Sequence, residues 1–255
     1  SANRFFHWPL AFPHVFADVG FDIVLGNPPW ERIKLQEQEF FAQRDPAIAT
    51  AANKAARQRL IDRLTQENPA LAAEFGIAKR DAEAASNFVR NSGRFPLTGV
   101  GDVNTYAVFA ELIRQSLGPI GVGGIIIPPG IATDDTYKRF FSDIVSKKSL
   151  VAFIGMDNEA MIYFRHIDHR NRFALFFVGG DEMQIDQPEF TFFCSRLEYT
   201  HLPERRFTLT AEDMRLMNPN TLTTPVFRTR ADAELTRRIY RRVPVLDNER
   251  TGENP

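Results

Sequence analysis

The sequence predicts an α/β fold, the second half of a doubly wound sheet interrupted by a helical insertion. Three observations predict it. Short continuous apolar runs recur at 23–25, 125–127, 150–154 and 173–178, each closed by Gly, Pro or polar residues; strands covered on both faces read this way. Apolar residues at helical spacing lie between the later runs, so strand and helix alternate. Residues 31–102 show helical periodicity alone, which marks them as an insertion of a different kind.

Residues 3–20 place Phe5, Phe6, Trp8, Phe12 and Phe16 among prolines and histidines, an aromatic, irregular approach packed beneath the first strand. That strand, Phe21 to Gly26, is expected to be central. It stops in Asn27-Pro28-Pro29-Trp30, where two prolines forbid both a ladder and a new helix. Asn27, preceding a proline, is held extended. The result is a stiff projection at the carboxyl end of a strand, where open α/β sheets place ligands.

In the insertion, Asp45-Pro46 starts a helix that carries Ile48, Ala52, Ala56, Leu60, Ile61 and Leu64. Asn68-Pro69 starts a second, with Leu71, Phe75, Ala78, Ala82, Ala85 and Val89 on one face, ended by Ser92-Gly93. Mixed charges suit a solvated helix pair; the functional alternative is that the hairpin touches DNA or a missing half of the molecule through Arg57, Arg59 and Arg63. A helix after Asp102 turns Tyr106, Phe109, Leu112, Ile113 and Leu117 toward a core. The run Gly118–Gly124 precedes a strand and reads as a turn. Asp134-Asp135 caps the next helix, through Val145, and the strands at 150–154 and 173–178 follow. Between those two strands, Arg165, His166, His169, Arg170 and Arg172 against one Asp168 form a basic loop suited to phosphates. Beyond residue 180 come a strand at 190–194, a capping box at Thr210 to Asp213 and a Thr229-capped helix. Arginine replaces lysine throughout 196–242, as suits forked phosphate and guanine contacts. Residues 246–255, polar and ending Gly-Glu-Asn-Pro, are expected to be disordered.

The tetrapeptide at 27–30 has a definite chemistry. A conjugated exocyclic amine becomes nucleophilic when two acceptors grip its two N–H bonds and localise the lone pair. The Asn27 side-chain oxygen and the Pro28 carbonyl are such a pair, and Trp30 offers a flat face for stacking, with about 1–3 kcal/mol available per base. No tuned general base is required.

Composition bounds the rest. Lys and Arg number 31 against 32 Asp and Glu, a net charge of −1, so any basic surface for nucleic acid is local. No apolar run nears the ~20 residues that cross a bilayer. The single Cys194 excludes an internal disulfide and suits a reducing cytoplasm. No third ligand accompanies His166 and His169, so no metal site is expected.

Residues 22–30 resemble the Asn-Pro-Pro-aromatic motif of S-adenosylmethionine-dependent amino-methyltransferases, chiefly those that methylate adenine N6 in DNA. His7-Trp8-Pro9-Leu10 and Phe12-Pro13 before the strand, Glu31-Arg32-Ile33-Lys34 after it, and Gly101-Asp102-Val103-Asn104-Thr105-Tyr106 downstream resemble the long type IIG restriction-modification methyltransferases and related phage-defence enzymes. The resemblance covers most of 4–245. It implies a Rossmann-like catalytic domain over 3–180, a linker and the start of a target-recognition region over 181–245, S-adenosyl-L-methionine as cofactor and double-stranded DNA as partner. It implies catalytic roles for Asn27, Pro28, Pro29 and Trp30. Tyr106 or Phe109 would line the pocket for the cofactor's adenine, with Asp102 or Asn104 fixing the loop. Trp30 would stack on the target base, and Phe164, or alternatively Tyr163, on its other face. Arg165, Arg170 and Arg172 would hold the DNA.

In that family the glycine-rich cofactor loop precedes the Asn-Pro-Pro motif. Only 26 residues precede Asn27, fewer than the roughly 30 of one βαβ unit. The expectation is therefore a fragment that lacks the amino-terminal, cofactor-loop half of the enzyme and is inactive alone. Glutamine methyltransferases acting on proteins share a similar motif and remain an alternative, as does a non-catalytic DNA-binding or scaffolding piece.

Overall fold

The computed structural model describes residues 6–159, 161–249 and 251–252. They divide into two compact units, one of Ser1–Trp30 with Tyr106–Pro255 and one of Glu31–Thr105.

The first unit is built on a six-stranded mixed sheet with the order β1-β2-β4-β3-β5-β6. Its strands are β1 (Phe21–Gly26), β2 (Leu117–Ile127), β3 (Leu150–Asp157), β4 (Arg172–Gly179), β5 (Glu189–Cys194) and β6 (Phe207–Thr208). β1 runs parallel to β2, with Ile23 opposite Val122 and Gly26 opposite Ile125. β4 lies antiparallel between β2 and β3. β3 pairs β5 in parallel. The centre of the sheet is fully buried, with Ile125, Ile127, Phe153, Phe176 and Phe190 closed off from solvent together with Phe140, Phe141 and Ile144 of the helix Lys138–Ser146.

Four expectations are corrected here. β1 is an edge strand, not a central one: Ile23 is 68% and Leu25 76% exposed. The apolar run identified a strand, but run length cannot say whether a second neighbour is present. The glycine run 118–124 lies inside β2 instead of forming a turn. There the reason is close approach: a Cβ on Gly121 would sit 2.3 Å from the Phe21 carbonyl oxygen of β1. Residues 8–18 are not irregular but form two short helices, Trp8–Ala11 and Pro13–Asp18. Trp8, Phe12 and Phe16 pack on Phe21 with ring centroids 5.5–5.9 Å apart; Phe5 lies outside the described residues. Finally, Asp134 makes no side-chain cap, and a 3-10 turn, Asp135–Tyr137, precedes the helix.

Both carboxy-terminal capping boxes form. Thr210 pairs with Asp213 at the helix Ala211–Met217, and Thr229 with Asp232 at Arg230–Tyr240. Asp213 is buried and also faces Arg237 at 3.4 Å and Arg241 at 3.6 Å. Within the stretch expected to be disordered, the Asn220 side chain donates to the Asp247 carbonyl and accepts from the Glu249 amide; residues 253–255 lie outside the described ones.

In the second unit the first periodic stretch is broken, as Pro46–Ala49 and Lys54–Glu67. Asn53 supplies a fresh cap at Ala56, a local competitor that the apolar spacing concealed. Pro69–Asn91 is one long helix capped by Asn68. Phe41, Ile48, Ile61, Leu64, Leu71 and Phe75 form the unit's own core.

Candidate functional site

The end of β1 projects as the sequence requires. The parallel pairing with β2 stops at Gly26, and residues 27–30 carry no regular structure. Asn27 is exposed, and neither Asn27 nor Pro28 has a hydrogen-bond partner among the described residues. Two acceptors on adjacent residues therefore stand idle. Asn27 and the buried Pro28 are among the residues lining a groove of about 490 Å³, formed by residues 23–29 together with Trp8, Phe21, Phe109, Leu112, Ile113 and Ser116. Among those lining side chains none is charged, and Asn27 and Ser116 are the polar ones.

Trp30 is half-buried. Its indole Nε1 donates to the Ile126 carbonyl of β2 at 3.2 Å. This bond fixes the ring's rotation, so that its face is presented consistently. Phe164 is the neighbour, its centroid 6.3 Å from Trp30 at an interplanar angle of 67°. Phe164 in turn meets Phe173 edge-on at 5.1 Å. With the two planes crossed at that angle, Trp30 and Phe164 cannot both lie flat on opposite faces of one planar group; one must meet it by its edge. Tyr163, the alternative, packs on Phe173 at 5.5 Å.

The candidate cofactor residues separate. Phe109 lines the groove. Tyr106 does not: it is buried beside Tyr137, with centroids 5.5 Å apart. Burial, and then the hydrogen bond with Tyr137, push its hydroxyl far above the usual phenol range. Asp102 belongs to the second unit, where its carboxylate lies 3.3 Å from Arg32.

The three arginines also differ. Arg172 opens β4 and is held by Asp157, Nε to Oδ1, at 3.0 Å. Arg170 grips Asp168 through its guanidinium at 2.6 Å and its backbone amide at 2.9 Å. Those bonds hold the Asp168 carboxyl down at about 2. Arg165 is exposed and has no ion pair among the described residues. The loop therefore offers one uncommitted guanidinium and two that an incoming phosphate must win from a carboxylate. Among the described residues no cluster of three His, Cys, Asp or Glu side chains is placed to hold a metal ion, and no helix is long and apolar enough to cross a membrane.

Sequence reasoning missed Trp8, Phe21 and Ser116 as groove walls, because they come from segments that only the fold brings together. It also passed over Asn158, the residue directly after β3, whose role is taken up below.

Residues 1–60 match the Eco57I restriction-modification methylase family. The match contains β1 and the whole Asn-Pro-Pro-Trp projection. No curated protein matches the chain. Among solved structures, the chain is similar to the type IIG restriction endonuclease BpuSI, at 16% identity and a TM-score of 0.38 over 68% of this chain. It is similar to a chain from a type I R-M system complex, at 13% identity and a TM-score of 0.41 over 82% of this chain. A third similarity is to the type I methyltransferase subunit from Streptococcus thermophilus, at 14% identity and a TM-score of 0.37 over 55% of this chain. The chain spans 15%, 38% and 34% of those proteins respectively.

Proposed function

We propose that this chain is the catalytic-motif half of an S-adenosylmethionine-dependent methyltransferase that methylates adenine N6 at specific sites in DNA, within a restriction-modification or phage-defence system. The observation that carries the reading is the pair of unsatisfied acceptors, Asn27 and Pro28, between the Trp30 ring and an apolar groove walled by Phe109. The family match over residues 1–60 supports it.

The target adenine leaves the duplex stack at a cost of a few kcal/mol. Its amine donates one N–H to the Asn27 Oδ1 and the other to the Pro28 carbonyl. The lone pair, withdrawn from the ring, then points along the line of attack. Trp30 holds the purine plane. When bound, the cofactor supplies an electrophilic methyl group on a sulfonium. Asn27 Oδ1 and the Pro28 carbonyl would hold the amine in line with that methyl group, and the amine's extra proton would pass to solvent. Alignment is the main source of rate.

The groove fits one part of the cofactor. Phe109, Leu112 and Ile113 suit a planar, apolar part such as the adenine ring. No lining carboxylate suits a ribose, and no lining charge suits the amino-acid end. The remaining contacts would come from another half of the enzyme. The open edge of β1 and its exposed Ile23 and Leu25 are what such a half would cover. DNA is the proposed partner, with Arg165 as the first phosphate contact.

The test is calorimetric titration of S-adenosylmethionine into this chain and into a polypeptide extended at its amino terminus. Binding only to the longer one is expected. In that longer enzyme, Asn27→Ala should abolish methyl transfer to DNA while cofactor binding persists; near-normal transfer would refute the assignment. A labelled methyl group found on a protein glutamine would favour the other methyltransferase reading, and absence of cofactor binding throughout would favour a scaffolding role.

A further inference from the structure

Asn158 is 1% exposed, yet it stands at the entrance of a loop whose described residues, Phe164 apart, are exposed. The loop follows β3 directly, and Met161, Ile162, Tyr163 and Ile167 within it are exposed. A buried amide in such a place has to be satisfied by something specific. Its partners all lie across the loop. The Asn158 Nδ2 donates to the Phe164 carbonyl at 3.0 Å and, at the long limit, to the Ile167 carbonyl at 3.5 Å. Its Oδ1 accepts the Phe164 amide N–H at 3.2 Å. One side chain thus clasps both the N–H and the C=O of Phe164, which fixes that residue's backbone from both sides. The asparagine amide carries the donor and the acceptor this requires on one planar group. The Asn158 carbonyl adds a bond from the Met161 amide at 2.8 Å.

The clasped residue is the one whose ring faces Trp30. We propose that Asn158 is a positioning residue: its amide holds the Phe164 ring edge-on to Trp30, so that the two rings form a standing receptacle for the planar group that is methylated. Asn158 itself touches neither the substrate nor the reacting atoms. The inference rests on the proposed function for the identity of the planar group, but the clasp can be read without any reaction.

The chain holds two tryptophans, so a Trp8→Phe background leaves Trp30 as the sole indole reporter. In this background, acrylamide quenching of Trp30 is measured at a temperature where far-ultraviolet circular dichroism shows the native state. Phe164→Ala sets the reference rise in the quenching constant. Asn158→Ala is expected to raise it to the same level, because the released loop takes the ring away. The double variant should rise no further, since both changes remove the same cover. Asn158→Asp, which keeps the size and the acceptor but sets a second oxygen against two carbonyls, is expected to behave like Asn158→Ala and serves should the alanine variant not fold. Unchanged quenching in a folded Asn158 variant, or a further rise in the double variant, would overturn the proposal. In the longer enzyme, Asn158→Ala and Phe164→Ala should lower methyl transfer to DNA by equal factors and leave the cofactor's KM unchanged; unequal factors would also overturn it. Failure of the unaltered enzyme to methylate DNA would count against the proposed function alone, because the Trp30 readout of the clasp does not depend on it.

Discussion

Gly121→Ala tests the packing that carries the site. Gly121 lies in β2, and an added methyl group would stand 2.3 Å from the Phe21 carbonyl oxygen and 3.2 Å from that of Asp22. Both oxygens belong to the backbone of β1, so no side chain can turn away to make room. β1 would have to retreat by about 0.7 Å to reach even a 3.0 Å contact, stretching a ladder that already shifts register between Phe21 and Ile23. Overpacking costs about 1–3 kcal/mol, and a clash with backbone alone belongs at the upper end. At roughly 2–4 °C per kcal/mol for a unit of this size, the Tm should fall by about 6–12 °C. Thermal unfolding followed by circular dichroism measures this. Gly76→Ala is the control. It lies inside the helix Pro69–Asn91, and its new methyl would meet only Arg80 Nη1 at 3.5 Å. Loss of a helical glycine should stabilise by about 1 kcal/mol, and only in the second unit's transition. A Gly121→Ala protein whose Tm stays within the error of the parent's would refute the claim that β1 and β2 are in direct backbone contact.

Other outcomes follow from particular side chains. Asp213→Ala removes an acceptor from the Thr210 amide and hydroxyl and strips Arg237 and Arg241 of their shared carboxylate; a loss of about 1–3 kcal/mol is expected in urea unfolding. The Cys194 thiol is fully buried, and burial pushes it up to about 11. It should stay unreactive toward a thiol-specific disulfide reagent at pH 8 in the native protein and react once per chain in denaturant.

Much of this architecture was legible in the sequence, for reasons that can be stated locally. The Asn-Pro-Pro-Trp projection follows from proline stereochemistry. The two Thr-capped helices follow from paired capping groups three residues apart. What was not legible depends on partners distant in the chain. Whether the 23–25 run is central or at an edge turns on a neighbour that no local pattern reveals. Gly118 to Gly124 look like turn residues until β1 is seen pressed against them. Arg170 and Arg172 look free beside one Asp168 until Asp157 is placed opposite Arg172. Asn158 carries no motif at all; its partners are carbonyl and amide groups, which every residue has.

The order of strands has a consequence for how the protein is made. β4 joins two parallel ladders, β1 with β2 on one side and β3 with β5 on the other. β2 and β3 precede it in the chain but do not pair with each other. During synthesis the isoleucine-rich end of β2 must therefore wait for roughly 50 further residues, about 3–10 s at ribosomal speed, before β4 can close its open side. Through that interval Ile125, Ile126 and Ile127 sit on an unpaired strand edge, the condition under which chains associate wrongly. A polypeptide that stops short of residue 172 would make the interval permanent. Removal of β4 should thus yield two small sheets that aggregate, whereas loss of the two-residue β6 should leave the remaining ladders intact.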